Sequence, residues 1–258
     1  MMEGFNWFIG KVEDRDDPAQ LGRLKIRAFG IHGNENEAPT DMLPWAHVML
    51  PITSASLRHV GTAPVGIQVG STVFGFFMDG NQTLLPVVIG VLPGEGDVTP
   101  LATGQQIINK DQQTFEPVSA YNAKYPFNKV FQSESGHVVE LDDTPNFERI
   151  HVYHKAGTYT EIDQDGNRVN RIVGNDYEIV DRNQTVYIKG NVKVVVDGDY
   201  ELSVTGNIKI NGKTINLNSG TMGAARIGDA ADSGDGGSGH ADGSNKIEAG
   251  SSTVFIGD

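Results

Sequence analysis

The sequence predicts an all-β protein: a small N-terminal barrel, then an intertwined trimeric triple-stranded β-helix, then a small β tip. Three observations carry this reading. Residues 172 to 218 repeat every eight positions, and short runs of alternating apolar residues precede them. The chain also has 32 glycines and no cysteine in 258 residues, which suits a turn-dense β-protein without a disulfide framework.

The repeat is the most informative of the three, because a short internal period decides architecture before composition can. From Ile172 the octads read IVGNDYEI, VDRNQTVY, IKGNVKVV, VDGDYELS, VTGNIKIN and GKTINLNS. Glycine recurs at Gly174, Gly190, Gly198 and Gly206, with Arg182 in the one missing slot; Asn175, Asn183, Asn191, Asp199 and Asn207 follow. Each octad reads as one strand and one turn, the glycine and its polar neighbour being the pair that tolerates positive φ at low cost. Apolar residues alternate around the turns: Ile188, Val192 and Val194, then Val196, Tyr200 and Leu202, then Val204, Ile208 and Ile210. Lys193, Glu201 and Lys209 lie between them, so one face is wet and the other dry. The first octad is off register, with Tyr177 and Ile179 in the apolar slots.

One copy of such a ribbon has two bare edges and one apolar stripe, and it closes no core by itself. An eight-residue unit is too short for a coil of a single-chain solenoid unless three strands share each layer. The closure expected is therefore a homotrimer whose apolar stripes meet on an axis. The competing reading is an ordinary meander in a monomer.

Bulk properties narrow the partners. The formal charge of −13 argues against nucleic acid and anionic membrane surfaces. No apolar run approaches the ~20 residues of a membrane span, and the N-terminus lacks the basic-then-apolar layout of a secretory signal. Membrane contact is expected to be mechanical.

Residues 1–93 form a different module. Strands are expected at 5–12, 21–29, 45–50, 71–78 and 84–92, with a polar turn from Asp14 to Pro18. Five short strands in under a hundred residues suggest a closed Greek-key barrel of the OB type. That fold often binds nucleic acid, but such a surface needs exposed aromatics interleaved with basic residues. The aromatics near Lys25 and Arg27 fall on core-like positions, so no nucleic acid is expected.

The runs FNWFIGKVEDRDDPAQLGRLKIRAFGIHG, LPWAHVMLPITSAS, VGIQVGSTVFGFFMDG and VVIGVLPG resemble the N-terminal OB domain of the central spike of T-even-like contractile phage baseplates. Residues 134–169 resemble the collar where that family's needle begins, and the octads resemble its triple-stranded β-helix. Spike proteins of type VI secretion systems share the architecture. The resemblance implies these divisions: 1–93, a hub-binding OB domain; 94–129, a linker; 130–171, the collar and start of the trimeric β-structure; 172–220, the octad helix; 221–258, the tip. In the best-known members a lysozyme domain stands between barrel and needle. Here 94–129 is too short for that fold and holds no spaced Glu–Asp pair in a helical context. A non-enzymatic chain is expected.

Three acidic clusters invite a catalytic or metal reading. Asp142-Asp143-Thr144-Pro145 fits turn chemistry better than a catalytic pair. Asp163, Asp165, Gly166 and Asn167 look like the start of a calcium loop but lack its distal Glu. Flanked by Thr158–Ile162 and Arg168-Val169, they fit a hairpin with an Asp-Gly turn. Glu13–Asp17 reads as a solvated loop with internal charge balance, or as a docking contact for a hub protein.

Past residue 220, Met222–Asp229 and Gly250–Asp258 resemble repeats of PAAR-type spike tips, with Gly223 where that family prefers proline. That family holds zinc with His and Cys from one chain, which this sequence cannot do. His240 and Asp242 do place two ligand types two residues apart. Three chains would bring three imidazoles and three carboxylates to the axis, suited to one iron or zinc ion per trimer. The needle tips of simple phages are similar, with a second His where Asp242 stands. The bland alternative is a Gly/Ser/Asp-rich loop without metal.

The function expected is a homotrimeric central spike at the tip of a virion's tail baseplate. It would dock on a trimeric hub protein and puncture the bacterial outer membrane mechanically, alone or with a separate tip protein, with no small-molecule substrate. A secretion-system or bacteriocin spike is the nearest alternative, and a polysaccharide-degrading tailspike the next.

Overall fold

The computed structural model describes residues 6–58, 60–93 and 116–214. The tip, with His240 and Asp242, lies outside the described residues, as does 94–115 of the expected linker. The chain divides into two compact units, Met1–Asn183 and Gln184–Asp258.

The first sheet is a closed barrel of β1 (Asn6–Asp14), β2 (Leu24–Ala28), β3 (Trp45–Val48), β4 (Thr72–Phe77) and β5 (Pro86–Leu92), in the order β1-β2-β3-β5-β4. All neighbours are antiparallel except β3 and β5, which are parallel. Each strand overlaps a run expected from the sequence. The alternation in β1 and β4 sends Phe8, Val12, Val73 and Phe77 inward, where they pack with Leu24, Ile26, Ala28, Ala46 and Val88. The Phe8 and Phe77 rings meet at 4.9 Å. Gly75 is dictated by this packing: a Cβ there would lie 2.0 Å from the Val87 carbonyl oxygen and 2.7 Å from the Phe8 ring.

The Glu13–Asp17 segment is not the solvated loop expected. Glu13 accepts from the Arg27 guanidinium and from Thr40 Oγ1. The buried Asp17 carboxylate caps the backbone N–H groups of Ala19, Leu21 and Arg23 and pairs with the Arg23 guanidinium. These bonds, Arg23's first among them, hold Asp17 far below the usual carboxylate range. Glu13 is balanced across the strands by Arg27 of β2, and Asp17 by Arg23 just before β2, rather than by Arg15 within the segment.

The second sheet is an antiparallel meander of β6 (Asn128–Gln132), β7 (Val138–Asp142), β8 (Arg149–Tyr153), β9 (Tyr159–Ile162) and β10 (Arg168–Arg171). The β9–β10 connection is the expected hairpin: Asp163 Oδ1 accepts from the N–H groups of Asp165 and Asn167. The Asp142–Pro145 segment makes the turn bonds expected of it: Asp142, buried at the end of β7, accepts on Oδ1 from Thr144 N–H and Oγ1, and the chain turns at 145–146.

Beyond Arg171 the described octads form no strand pairing within the chain. Bends recur at 173–174, 181–182, 189–190, 197–198 and 205–206 with extended backbone between them, and every residue from 172 to 214 is exposed. The period of eight is therefore physical. The glycines at 174, 190, 198 and 206, however, do not take the positive φ expected of them. The chain bends and runs on rather than reversing, so no left-handed turn is needed.

Candidate assembly surface

The second sheet is built inside out. On β7 the buried residues are Val138, Glu140 and Asp142, and on β8 and β9 they are Arg149, His151, Tyr159 and Glu161. Strand alternation then forces Val139, Leu141, Ile150 and Val152 to the opposite, exposed face. Register aligns them in two rows: Phe131, Val139, Val152 and Thr160, and Lys129, Leu141, Ile150 and Ile162. Phe131 is 72% exposed and Leu141 49%. A contiguous apolar face of this kind on a soluble sheet marks an interaction surface.

The polar face is closed by the chain itself. Residues 116–124 lie across it as a strap. Glu116 accepts from the Tyr159 hydroxyl and pairs with Arg171 at 2.5 Å. Ser119 Oγ and Ala120 N–H donate to the two oxygens of Glu161 at 2.8 and 3.1 Å. The Tyr121 ring sits 5.0 Å from the Arg149 guanidinium, and Lys124 N–H donates to Thr144 Oγ1. Beneath the strap, Arg149 bridges Glu140 and Glu161, the latter at 3.1 Å. His151 is fully buried with no hydrogen-bond partner on either ring nitrogen. Burial, and then the Arg149 charge, push it down to about 4, so the imidazole is neutral. Burial and the Glu116 carboxylate push the Tyr159 hydroxyl up.

This arrangement offers no catalytic constellation. Catalysis needs a titratable group open to a substrate, whereas these groups are shut beneath the strap. No three His, Cys, Asp or Glu side chains converge on a metal site among the described residues. Glu140, Arg149, His151 and Glu161 are not among the residues the sequence singles out. Their signal was present in the alternation of Val138–Asp142 and Arg149–Tyr153, where charged and aliphatic residues trade places at period two.

The octads extend the same theme. Their apolar residues, from Ile188 to Ile210 in the alternating slots, are between 46% and 73% exposed. On the barrel, Trp7 stacks on Phe74 at 5.4 Å and meets Phe76 edge-on, all on the outer surface. Near β2, Arg23 and Lys25 stand over the Trp45 ring. Both are already engaged, Arg23 with Asp17 and Lys25 with the Asp41 carbonyl, so this is not a free basic surface for a phosphate backbone.

The sequence matches the family model described as the Gp5 N-terminal OB domain over residues 29–114, which spans β3 to β5 of the barrel. It is 34% identical to Protein Gp5 of Vibrio phage KVP40, covering 73% of this chain and 62% of that protein. It is 41% identical over 95 residues to the pre-baseplate central spike protein Gp5 of Enterobacteria phage T4, covering 34% of this chain and 16% of that one. The chain thus spans less than two thirds of the length of either relative. With its closed five-stranded barrel followed by β-structure, the chain is a relative of the Gp5 baseplate central spike proteins of T4-like phages.

Proposed function

We propose that this chain is a non-enzymatic homotrimeric spike at the centre of a contractile tail baseplate, docking on a trimeric hub and puncturing the bacterial outer membrane by force. The observation that carries the reading is the unpartnered apolar surface. It comprises the outer face of the second sheet and, separately, the apolar residues of the octads, whose described residues form no strand pairing within the chain. Buried backbone groups and apolar stripes need partners. Three copies wound together supply both, and the strands then hydrogen-bond around a dry axis. Such a shaft transmits axial load because no flexible hinge interrupts its ladder.

The barrel supplies attachment and the octads supply stiffness. In this reading murein cleavage falls to force or to another component, because the stretch between β5 and β6 is too short to hold the catalytic domain. At the tip, His240 and Asp242 of three chains would hold one iron or zinc ion on the axis, pinning the point. Elemental analysis of the purified assembly tests this, and less than one ion per three chains overturns it.

The function itself is tested by mass in solution and by location. Light scattering should give about three times the 27.8 kDa chain mass, and antibody labelling should decorate the baseplate tip of the particle. A monomer in solution, or label elsewhere on the particle, defeats the reading.

A further inference from the structure

Barrel and second sheet follow one another in the chain across residues 93–127, and among the described residues they also meet through a side-chain contact. Arg15, in the β1–β2 turn, donates through both terminal nitrogens to both oxygens of Glu134, in the β6–β7 turn, at 2.5 and 2.9 Å. Arg15 also donates to Gln68 Oε1 at 3.2 Å. We propose that this two-toothed Arg15–Glu134 contact, steadied by Gln68, is a reversible latch that sets the orientation of the barrel on the sheet.

Both halves are presented by rigid turns. On the barrel, Asp14 Oδ1 caps Asp16 N–H, and Asp17 ties down three further N–H groups. On the sheet, Gly136 N–H donates to the Ser133 carbonyl, and His137 N–H to Ser133 Oγ. The backbones that carry Arg15 and Glu134 are thus ordered before the side chains meet. A planar guanidinium matches a carboxylate in this bidentate way, and lysine would not replace it. Extensive strand-to-strand packing of the described residues stays within each sheet.

The same geometry makes the latch releasable. Its side chains are 37% and 53% exposed, and exposed pairs are weak and screened by salt. The barrel is therefore held in register at low salt and freed by ionic strength, which suits a module that must seat on a partner before load passes through it.

The absence of native cysteine allows clean spin labelling at Lys11→Cys on the barrel and Lys155→Cys on the sheet. Labelled full-length chains would be diluted into unlabelled ones so that only distances within a chain are read. The parent should show one narrow distance distribution at low salt. R15E and E134R alone should each broaden it, raising the undocked fraction about threefold or more, and the R15E/E134R pair should restore it. High salt should broaden the parent and leave R15E unchanged. Circular dichroism confirms that each variant folds. Unchanged distributions in both single variants, or no recovery in the charge-swapped pair, overturns the latch.

Discussion

Removal of Arg149 should unfold the second sheet locally while sparing the barrel. Arg149 is 2% exposed and is the buried cation between Glu140, at 0%, and Glu161, at 4%. Arg149→Leu leaves two carboxylates facing each other without a counter-charge in a dry interior. Breaking a buried pair this way costs about 3–5 kcal/mol. For a module of under a hundred residues each kcal/mol shifts the midpoint by about 4–8 °C. Replacing the whole triad should cost far less: in Glu140→Met, Arg149→Leu, Glu161→Gln no charge remains, and with the amide oxygen turned to accept from Ala120 N–H the amide NH2 faces the Ser119 hydroxyl, which can accept from it. Hydrogen exchange followed by mass spectrometry resolves the two modules. Peptides from 128–171 should lose protection in the single variant by about a hundredfold or more and regain most of it in the triple one. Barrel peptides serve as the internal control. If the single variant exchanges within about 1 kcal/mol of the parent, the buried triad does not hold this sheet together.

Three further outcomes are expected. His151 is neutral when folded, with its pKa near 4 against 6.5 when free. The unfolded chain therefore takes up the proton first, and stability is full above pH 6.5 and falls as pH drops toward 4, by at most about 3 kcal/mol. His151→Phe should flatten that window in urea titrations run at stepped pH. Gly75→Ala should destabilise the barrel by about 1–3 kcal/mol through overpacking, because its Cβ meets backbone, the Val87 carbonyl, rather than a movable side chain; an unchanged melting temperature contradicts this. Val194→Asp puts a charge into the octad stripe and should reduce the assembled fraction seen by light scattering, whereas Lys193→Asp on the wet face should leave the mass unchanged.

Much of the barrel was legible because its strands are local events. Phe5–Val12 and Leu21–Phe29 alternate cleanly, and the turns between them are marked by Pro18 and glycine. The octad period was legible for the same reason and reappears as bends every eight residues. What stayed hidden depends on pairing between strands. Glu13 finds Arg27, and Arg149 finds Glu140 and Glu161, only once register is set. Alternation gives two faces but not which one goes inside, and ordinary transfer energetics favour the aliphatic face. The second sheet reverses that preference. The octad glycines taught the opposite lesson: a Gly-Asn pair permits a left-handed turn, but whether one forms depends on whether the strand must fold back.

That reversal also limits what the chain can build. A sheet with two open apolar faces can stack without end, and a ribbon with a bare edge can add strands in the same way. Here the strap of 116–124 seals one face with bonds to Glu161, Tyr159, Arg171 and Thr144. Among the described residues of this sheet, the apolar face left open is that of Phe131, Val139, Leu141, Ile150 and Val152, flanked by the edge strands β6 and β10. Copies that meet by that single face exhaust it on contact and leave a charged, already satisfied exterior. Face-to-face stacking of this sheet is therefore self-limiting rather than endless.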